Sequence, residues 1–204
     1  MQVYFMRHGD TDWNSVKRLQ GRTDIPLNEK GIALARRTAE AVHRSGIHFD
    51  YVYTSPLQRA RKTAELMNAY SRAPLIPDER LTEFCFGEAE GLLFEEVNTN
   101  PRFAPIADWF FAPERYKGGL GAESFEDFFA RLDSFLDNLR DLAAKESDSK
   151  VLIVCHGGVV RGLLKEMCRL ETARFADLKI PNCGLNLAEL KDGEFNLVYT
   201  AKVF

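Results

Sequence analysis

The chain has few cysteines, no long apolar run and almost no excess charge, and each shortage removes a class of protein. Cys85, Cys155, Cys168 and Cys183 are its only thiols; none falls in a Cys-x-x-Cys pair, and no histidine stands at zinc-finger spacing from them. The expectation is four reduced thiols in a cytoplasmic protein rather than a disulfide or zinc scaffold. The apolar run Met1 to Met6 gives way to Arg7-His8 at once, too short for a signal peptide or a membrane span. A formal net charge of -3 argues against nucleic acid as a partner. An anionic substrate would have to meet positive charge gathered locally. What is present is ordinary globular composition, 45% hydrophobic and 28% charged. A length of 204 residues suits one domain over 1–204 with a small inserted cap.

Short apolar runs alternate with amphipathic ones. Val3 to Met6 and Tyr51 to Tyr53 read as strands, and Val151 to Cys155 reads as a central parallel strand. Asn28 caps a helix whose inner face is Ile32, Ala35, Ala39 and Val42, and Ser45-Gly46 ends it. Ser55-Pro56-Leu57-Gln58 reads as a capping box opening a second helix with Ala60, Ala64 and Met67 inward. Pro74 and Pro77 then stop regular structure. Ser124 opens a strong helix with Phe128, Leu132, Phe135, Leu136 and Leu139 as core, and Gly157-Gly158 turns into another with Val159, Val160, Leu163 and Leu164 inward. The tail reads as a hairpin around Lys191-Asp192-Gly193. The pattern predicts a layered α/β/α fold with a mostly parallel central sheet, and a cap of short helices over roughly 84–122.

Three strands end at polar residues: Arg7-His8-Gly9, Thr54-Ser55 with Arg59 just beyond, and His156-Gly157-Gly158. Ligands of open α/β sheets bind outside the carboxyl ends of strands, so Arg7, His8, Arg59 and His156 are expected to converge. Two arginines and a second histidine suit the equatorial oxygens of a phosphoryl group, which the planar guanidinium fork binds in pairs. Gly9, Gly157 and Gly158 leave backbone amides open to phosphate oxygens. His8 acts as a nucleophile only when neutral, and adjacent guanidiniums lower its pKa. A carboxylic acid must protonate the leaving oxygen. From the residues alone the candidates are Asp10, Asp12, Asp24, Glu83, Glu88 and Glu90. Cys155 and His156 are strand neighbours facing opposite ways, which disfavours a catalytic pair. His43, His48, Arg36, Arg37, Arg61 and Lys62 read as solvated.

Five blocks carry a family resemblance. They are Arg7-His8-Gly9-Asp10-Thr11 with Trp13-Asn14, Gln20-Gly21-Arg22-Thr23-Asp24-Ile25-Pro26-Leu27-Asn28, Thr54-Ser55-Pro56-Leu57-Gln58-Arg59-Ala60, Leu81-Thr82-Glu83, and Cys155-His156-Gly157-Gly158. In this order the chain resembles the histidine phosphatase superfamily, also called phosphoglycerate mutase-like. The resemblance implies that His8 is phosphorylated and that Arg7, Arg59 and His156 hold the phosphate. It implies Asn14, Gln20, Gly21, Thr11 and Gly157 as substrate-binding residues and Glu83 as the proton donor. It also implies a small phosphorylated substrate, no metal and no organic cofactor. Asp10 stands where Glu is more common, and Ala89 where many phosphatases carry Trp.

The expected activity is hydrolysis of a phosphomonoester. A mutase needs further cations after the acid, and Phe84 to Pro101 contains no Lys or Arg. The cap's Phe84, Phe86, Phe94, Phe103, Trp109, Phe110, Phe111 and Tyr116 fit either an organic leaving group or the cap's own core. Mutase-type transfer, a metal-dependent phosphatase using His8, Asp10, Asp12 and His156, and a non-catalytic phosphate binder are the alternatives.

Overall fold

Buried strands dominate the centre of the computed structural model, which describes residues 1–204. The elements are β1 (Gln2–Arg7), α1 (Asp12–Ser15), α2 (Glu29–Arg44), β2 (Tyr51–Thr54), α3 (Gln58–Met67), β3 (Leu75–Pro77), α4 (Phe94–Thr99), α5 (Ala104–Phe111), α6 (Phe125–Lys145), β4 (Lys150–Cys155), α7 (Gly157–Cys168), β5 (Leu185–Lys191) and β6 (Glu194–Lys202). They form a six-stranded sheet in the order β3-β2-β4-β1-β5-β6. β1, β2, β3 and β4 run parallel, and β5 and β6 add an antiparallel edge.

Strand alternation divides the core into two layers. Val3, Phe5, Val151 and Ile153 pack towards Phe128, Leu132 and Phe135 of α6 and Val160 and Leu163 of α7. Tyr4, Met6, Leu152 and Val154 pack towards Ala35, Ala39 and Val42 of α2 and Ala64 and Met67 of α3. With both faces covered, β1 and β4 have to be apolar throughout, which is why they read as unbroken runs. Each fully buried side chain of this size stabilises the fold by about 1.5–3 kcal/mol. Asn28 caps α2 by accepting from Gly31 N at 2.8 Å, worth about 1 kcal/mol.

Two local expectations are corrected. Pro74 and Pro77 do not end regular structure, because Leu75–Pro77 pairs with β2 as an edge strand, where a proline can end the ladder. Ser55 does not cap α3, which starts at Gln58. Its hydroxyl lies 2.8 Å from His156 Nε2, and Asp24 takes over the capping task, its carboxylate accepting from Gln58 N at 2.8 Å and Gln58 Nε2 at 3.1 Å. Between β3 and α6, α4, α5 and several 3-10 turns lie beside the carboxyl ends of the strands.

Candidate active site

The parallel register of β1 on β4 pairs Arg7 with Cys155, so the next residues, His8 and His156, leave the sheet side by side. Their rings stand edge to face with centroids 5.2 Å apart. His8 is 2% exposed and contributes to a small cavity of about 160 Å³ that Arg7, Asn14, Gln20, Gly21, Arg59, Glu83 and Gly157 also line. His156 is fully buried and braces the His8 ring rather than lining the cavity.

Hydrogen bonding selects the His8 tautomer. Nδ1 lies 2.6 Å from Gly9 O, a carbonyl that can only accept, so Nδ1 carries the proton. Nε2 is left with its lone pair and accepts from Arg59 Nε at 3.3 Å. Asn182 Nδ2 donates to the His8 and Gly9 carbonyls at 2.9 and 3.1 Å and steadies that turn. Burial pushes the His8 pKa well below the usual 6.5, and Arg59 and Arg7 push it further. His156 shifts the same way, by burial first and then Arg59. Both rings are neutral at ordinary pH.

Backbone carbonyls orient the arginines. Arg59, fully buried, donates to Gly21 O at 2.7 Å and Thr23 O at 2.9 Å, and burial lowers its pKa to about 10. Arg7 Nη1 donates to Ile180 O at 3.1 Å. Gly21 turns with φ +54, and a Cβ there would meet Glu90 Oε1 at 2.0 Å. Glu90 accepts from Arg22 N, Thr23 N, Thr23 Oγ1 and Phe86 N, tying the loop that holds Arg59 to the segment after Glu83.

Of the six acidic candidates, Glu83 alone lines the cavity. Asp24 caps α3, Glu90 braces the loop, and Glu88 pairs with Arg102. Glu83 Oε2 accepts from Gly158 N at 3.1 Å, and Oε1 from Phe84 N at 2.9 Å.

Some expected contacts are redirected. Thr11 lies outside the cavity lining and instead caps α1, exchanging hydrogen bonds with Asn14. Gly9 N donates to Thr63 Oγ1 and Gly158 N to Glu83, so neither amide is open to phosphate. Gly157, at the first helical position of α7, has no intrahelical acceptor for its amide. Phe86, Trp109 and Phe110 line the cavity, whereas Phe84, Phe103 and Tyr116 are core.

Arg18, Arg161 and Asn182 were not anticipated. Arg161 is the lone charge in Gly157 to Leu164, one turn after the glycine pair, a signal available in the sequence. Arg18 and Asn182 carry no such mark. A larger cavity of about 850 Å³ lies at the other end of the sheet, where Met1, Gln2 and Lys150 begin β1 and β4, and it contains none of the histidines.

A buried neutral imidazole, four guanidiniums and one carboxylate thus gather around a small cavity at the strand ends of an α/β fold. A family model described as histidine phosphatase superfamily (branch 1) matches residues 3–202, and the chain belongs to that superfamily. It is 35% identical over 167 residues to a Bacillus subtilis (strain 168) protein described as uncharacterized phosphatase PhoE, covering 81% of this chain and 76% of the relative. It is 31% identical over 196 residues to phosphoglycerate mutase-like protein 4 of Arabidopsis thaliana, covering 95% and 81%. Among solved structures, phosphoserine phosphatase from Entamoeba histolytica in complex with phosphoserine superposes with a TM-score of 0.81 at 25% identity, over 99% of this chain and 97% of that one. Relatives thus include phosphatases and mutase-like proteins, and one holds a small phosphorylated ligand. No helix is long and apolar enough to cross a membrane.

Proposed function

We propose that the chain hydrolyses a small phosphomonoester through a phosphohistidine at His8. The carrying observation is the bond between His8 Nδ1 and Gly9 O, which leaves Nε2 as the nucleophilic nitrogen. Nε2 attacks phosphorus and the bond to the ester oxygen breaks. Glu83 gives that oxygen its proton. Arg7 and Arg59 stabilise the charge on the equatorial oxygens, and His156 braces the His8 ring. Asn14, Gln20, Gly21 and the Gly157 amide border the substrate. The Glu83 carboxylate then takes a proton from water, water attacks phosphorus, the P–N bond breaks, and phosphate leaves with neutral imidazole restored. The residues of 84–122 cap the site within the single domain. No metal or organic cofactor takes part, and the four unpaired thiols suit a reducing cytoplasmic setting.

Phosphate release from a panel of phosphomonoesters tests the reading. The wild type is expected to turn over several esters, His8→Ala none, and Glu83→Gln is expected to slow most on poor leaving groups. Normal turnover by His8→Ala overturns it. A second reading, transfer between phosphoglycerates, draws on the 31% identical mutase-like relative; transfer outpacing release would establish it. Phosphate binding with no release from any ester would make the chain a binder.

A further inference from the structure

The carbonyl that sets the His8 tautomer is itself held by a residue far along the chain. Gly9 O accepts two hydrogen bonds, one from His8 Nδ1 at 2.6 Å and one from Asn182 Nδ2 at 3.1 Å, and the same Nδ2 donates to His8 O at 2.9 Å. No other group donates to either oxygen. Gly9 N donates to Thr63 Oγ1 at 3.0 Å, which anchors the peptide plane before Gly9. The plane after it joins Gly9 O to Asp10 N, and Asp10 N makes no backbone hydrogen bond. Apart from the His8 ring, Asn182 is therefore the one group that fixes where Gly9 O points.

Asn182 is fixed in turn. Pro181 to Gly184 is a tight turn closed by Gly184 N donating to Pro181 O at 3.1 Å, and its third residue, the buried Cys183, takes φ +54. Glycine or asparagine is usual at such a position, because a side chain there is strained. Strain of this kind persists where the surroundings over-determine the backbone, and it collects at functional sites. Cys183 N donates to Arg7 O at 3.0 Å, and Ile180 O accepts from Arg7 Nη1 at 3.1 Å, so main-chain contacts on both sides of Asn182 tie the turn to β1. The amide can face only one way, since an oxygen in place of Nδ2 would meet two carbonyl oxygens.

We propose that Asn182 is a positioning residue for the nucleophile: its Nδ2 donors fix the His8 and Gly9 carbonyls, so that Gly9 O keeps the proton on Nδ1 and leaves Nε2 facing the cavity. This rests on the phosphohistidine reading and adds a residue to it. Arg59 Nε guards the same tautomer by donating to Nε2 at 3.3 Å, but that bond has to be given up when Nε2 turns its lone pair to phosphorus. The Asn182 contact persists. As the Nε2–P bond forms and the bond from phosphorus to the ester oxygen breaks, the Nδ1 proton stays and the ring becomes cationic. Gly9 O then accepts from a charged donor, a stronger bond that a carbonyl free to rotate would not supply.

Asn182→Asp and Asn182→Ala test the role. The aspartate keeps the size and shape of the side chain and replaces its donors with acceptors, whereas the alanine removes them outright. Both should lower kcat on p-nitrophenyl phosphate by about 10²-fold and change KM by less than about threefold, because the main-chain contacts to Arg7 are untouched. Nitrogen-15 NMR of the imidazoles, with His8 assigned by the signals lost in His8→Ala, reads the tautomer directly. The wild type is expected to show a protonated Nδ1 and a bare Nε2 as two well-separated resonances, and in the variants the two should move towards each other as the tautomers exchange. Full kcat in Asn182→Asp, or unshifted nitrogens in both variants, overturns the positioning role; wild-type turnover that depends on His8 would still uphold the phosphohistidine reading. A wild type with its proton on Nε2 overturns both, and that spectrum needs no variant to fold. Converging resonances in the variants of a chain that hydrolyses no ester uphold the positioning role while removing the hydrolase reading.

Discussion

Glu83 reaches the amino end of α7 because Gly158 has no side chain. Its Oε2 accepts from Gly158 N at 3.1 Å, and a Cβ on that residue would stand 2.6 Å from Oε1 and 3.3 Å from the Trp109 ring. The carboxyl proposed to carry the proton is therefore placed by an absence of atoms. Gly158→Ala is expected to displace Glu83 without unfolding α7. Its kcat on alkyl phosphates should fall by about 10²–10⁴, the usual worth of a positioned acid. Hydrolysis of p-nitrophenyl phosphate, whose leaving group needs no proton, should fall much less. Steady-state kinetics on the two esters checks this.

Arg59→Lys replaces a fork with a single ammonium. The Gly21 and Thr23 carbonyls and His8 Nε2 each accept from a different nitrogen of Arg59, and one Nζ cannot serve all three. Losing at least one buried partner should cost about 1–3 kcal/mol of stability. Phosphate release should drop about 10²-fold or more. Chemical denaturation and initial-rate assays measure the two effects.

Glu90→Gln probes the loop behind the site. Glu90 uses both oxygens to accept four hydrogen bonds, all from N–H or O–H donors, and a glutamine has one oxygen for them. The expected result is a loss of about 1.5–3 kcal/mol, as for hydrogen bonds to a charged group. KM should rise more than kcat falls, because Gly21 borders the cavity and its loop holds Arg59. Kinetics beside a thermal melt separates this outcome from simple unfolding.

The two site histidines give stability a defined pH slope. Folding holds His8 and His156 well below 6.5, by burial first and then by Arg59. Below 6.5 the unfolded chain binds protons that the folded chain refuses, so the stability from neutral imidazoles is complete above that pH and lost as pH falls. Each ring contributes about 1.4 kcal/mol per pH unit in that window. His8→Asn should flatten the fall between roughly pH 6.5 and 5 by that amount, as read from denaturation midpoints. The acid limb of kcat/KM should likewise lie below 6.5.

Activity should survive prolonged treatment with a chelator and should not rise when zinc or manganese is added back. His8, Asp10, Asp12 and His156 do not come together as a ligand cluster. Phosphate-release assays after dialysis against EDTA check this; loss and metal-specific recovery would favour a metal-dependent phosphatase.

What sequence patterning reveals here depends on distance along the chain. β1, β4, α2 and α6 were legible because each buries a face whose period or continuity is local. The start of α3 was not, since the competitors for its cap are residues 34 and 101 positions away, Asp24 drawing Gln58 and His156 drawing Ser55. β3 was missed because proline reads as a breaker unless the neighbouring strand is known. The convergence of Arg7, His8, Arg59 and His156 followed from the rule for strand ends. The residues alone left six carboxylates open, and only the family resemblance singled out Glu83, because the other five differ from it only in where their loops run. Arg18 stayed hidden for the same reason.

The alignment of β1 with β4 has a cost for change by insertion. Arg7 sits opposite Cys155, and the paired imidazoles are simply the next step along each rail. One extra residue in either strand would leave all five sequence blocks intact yet send one ring towards the wrong layer. Such a chain would still look like kin on paper and would have no working centre.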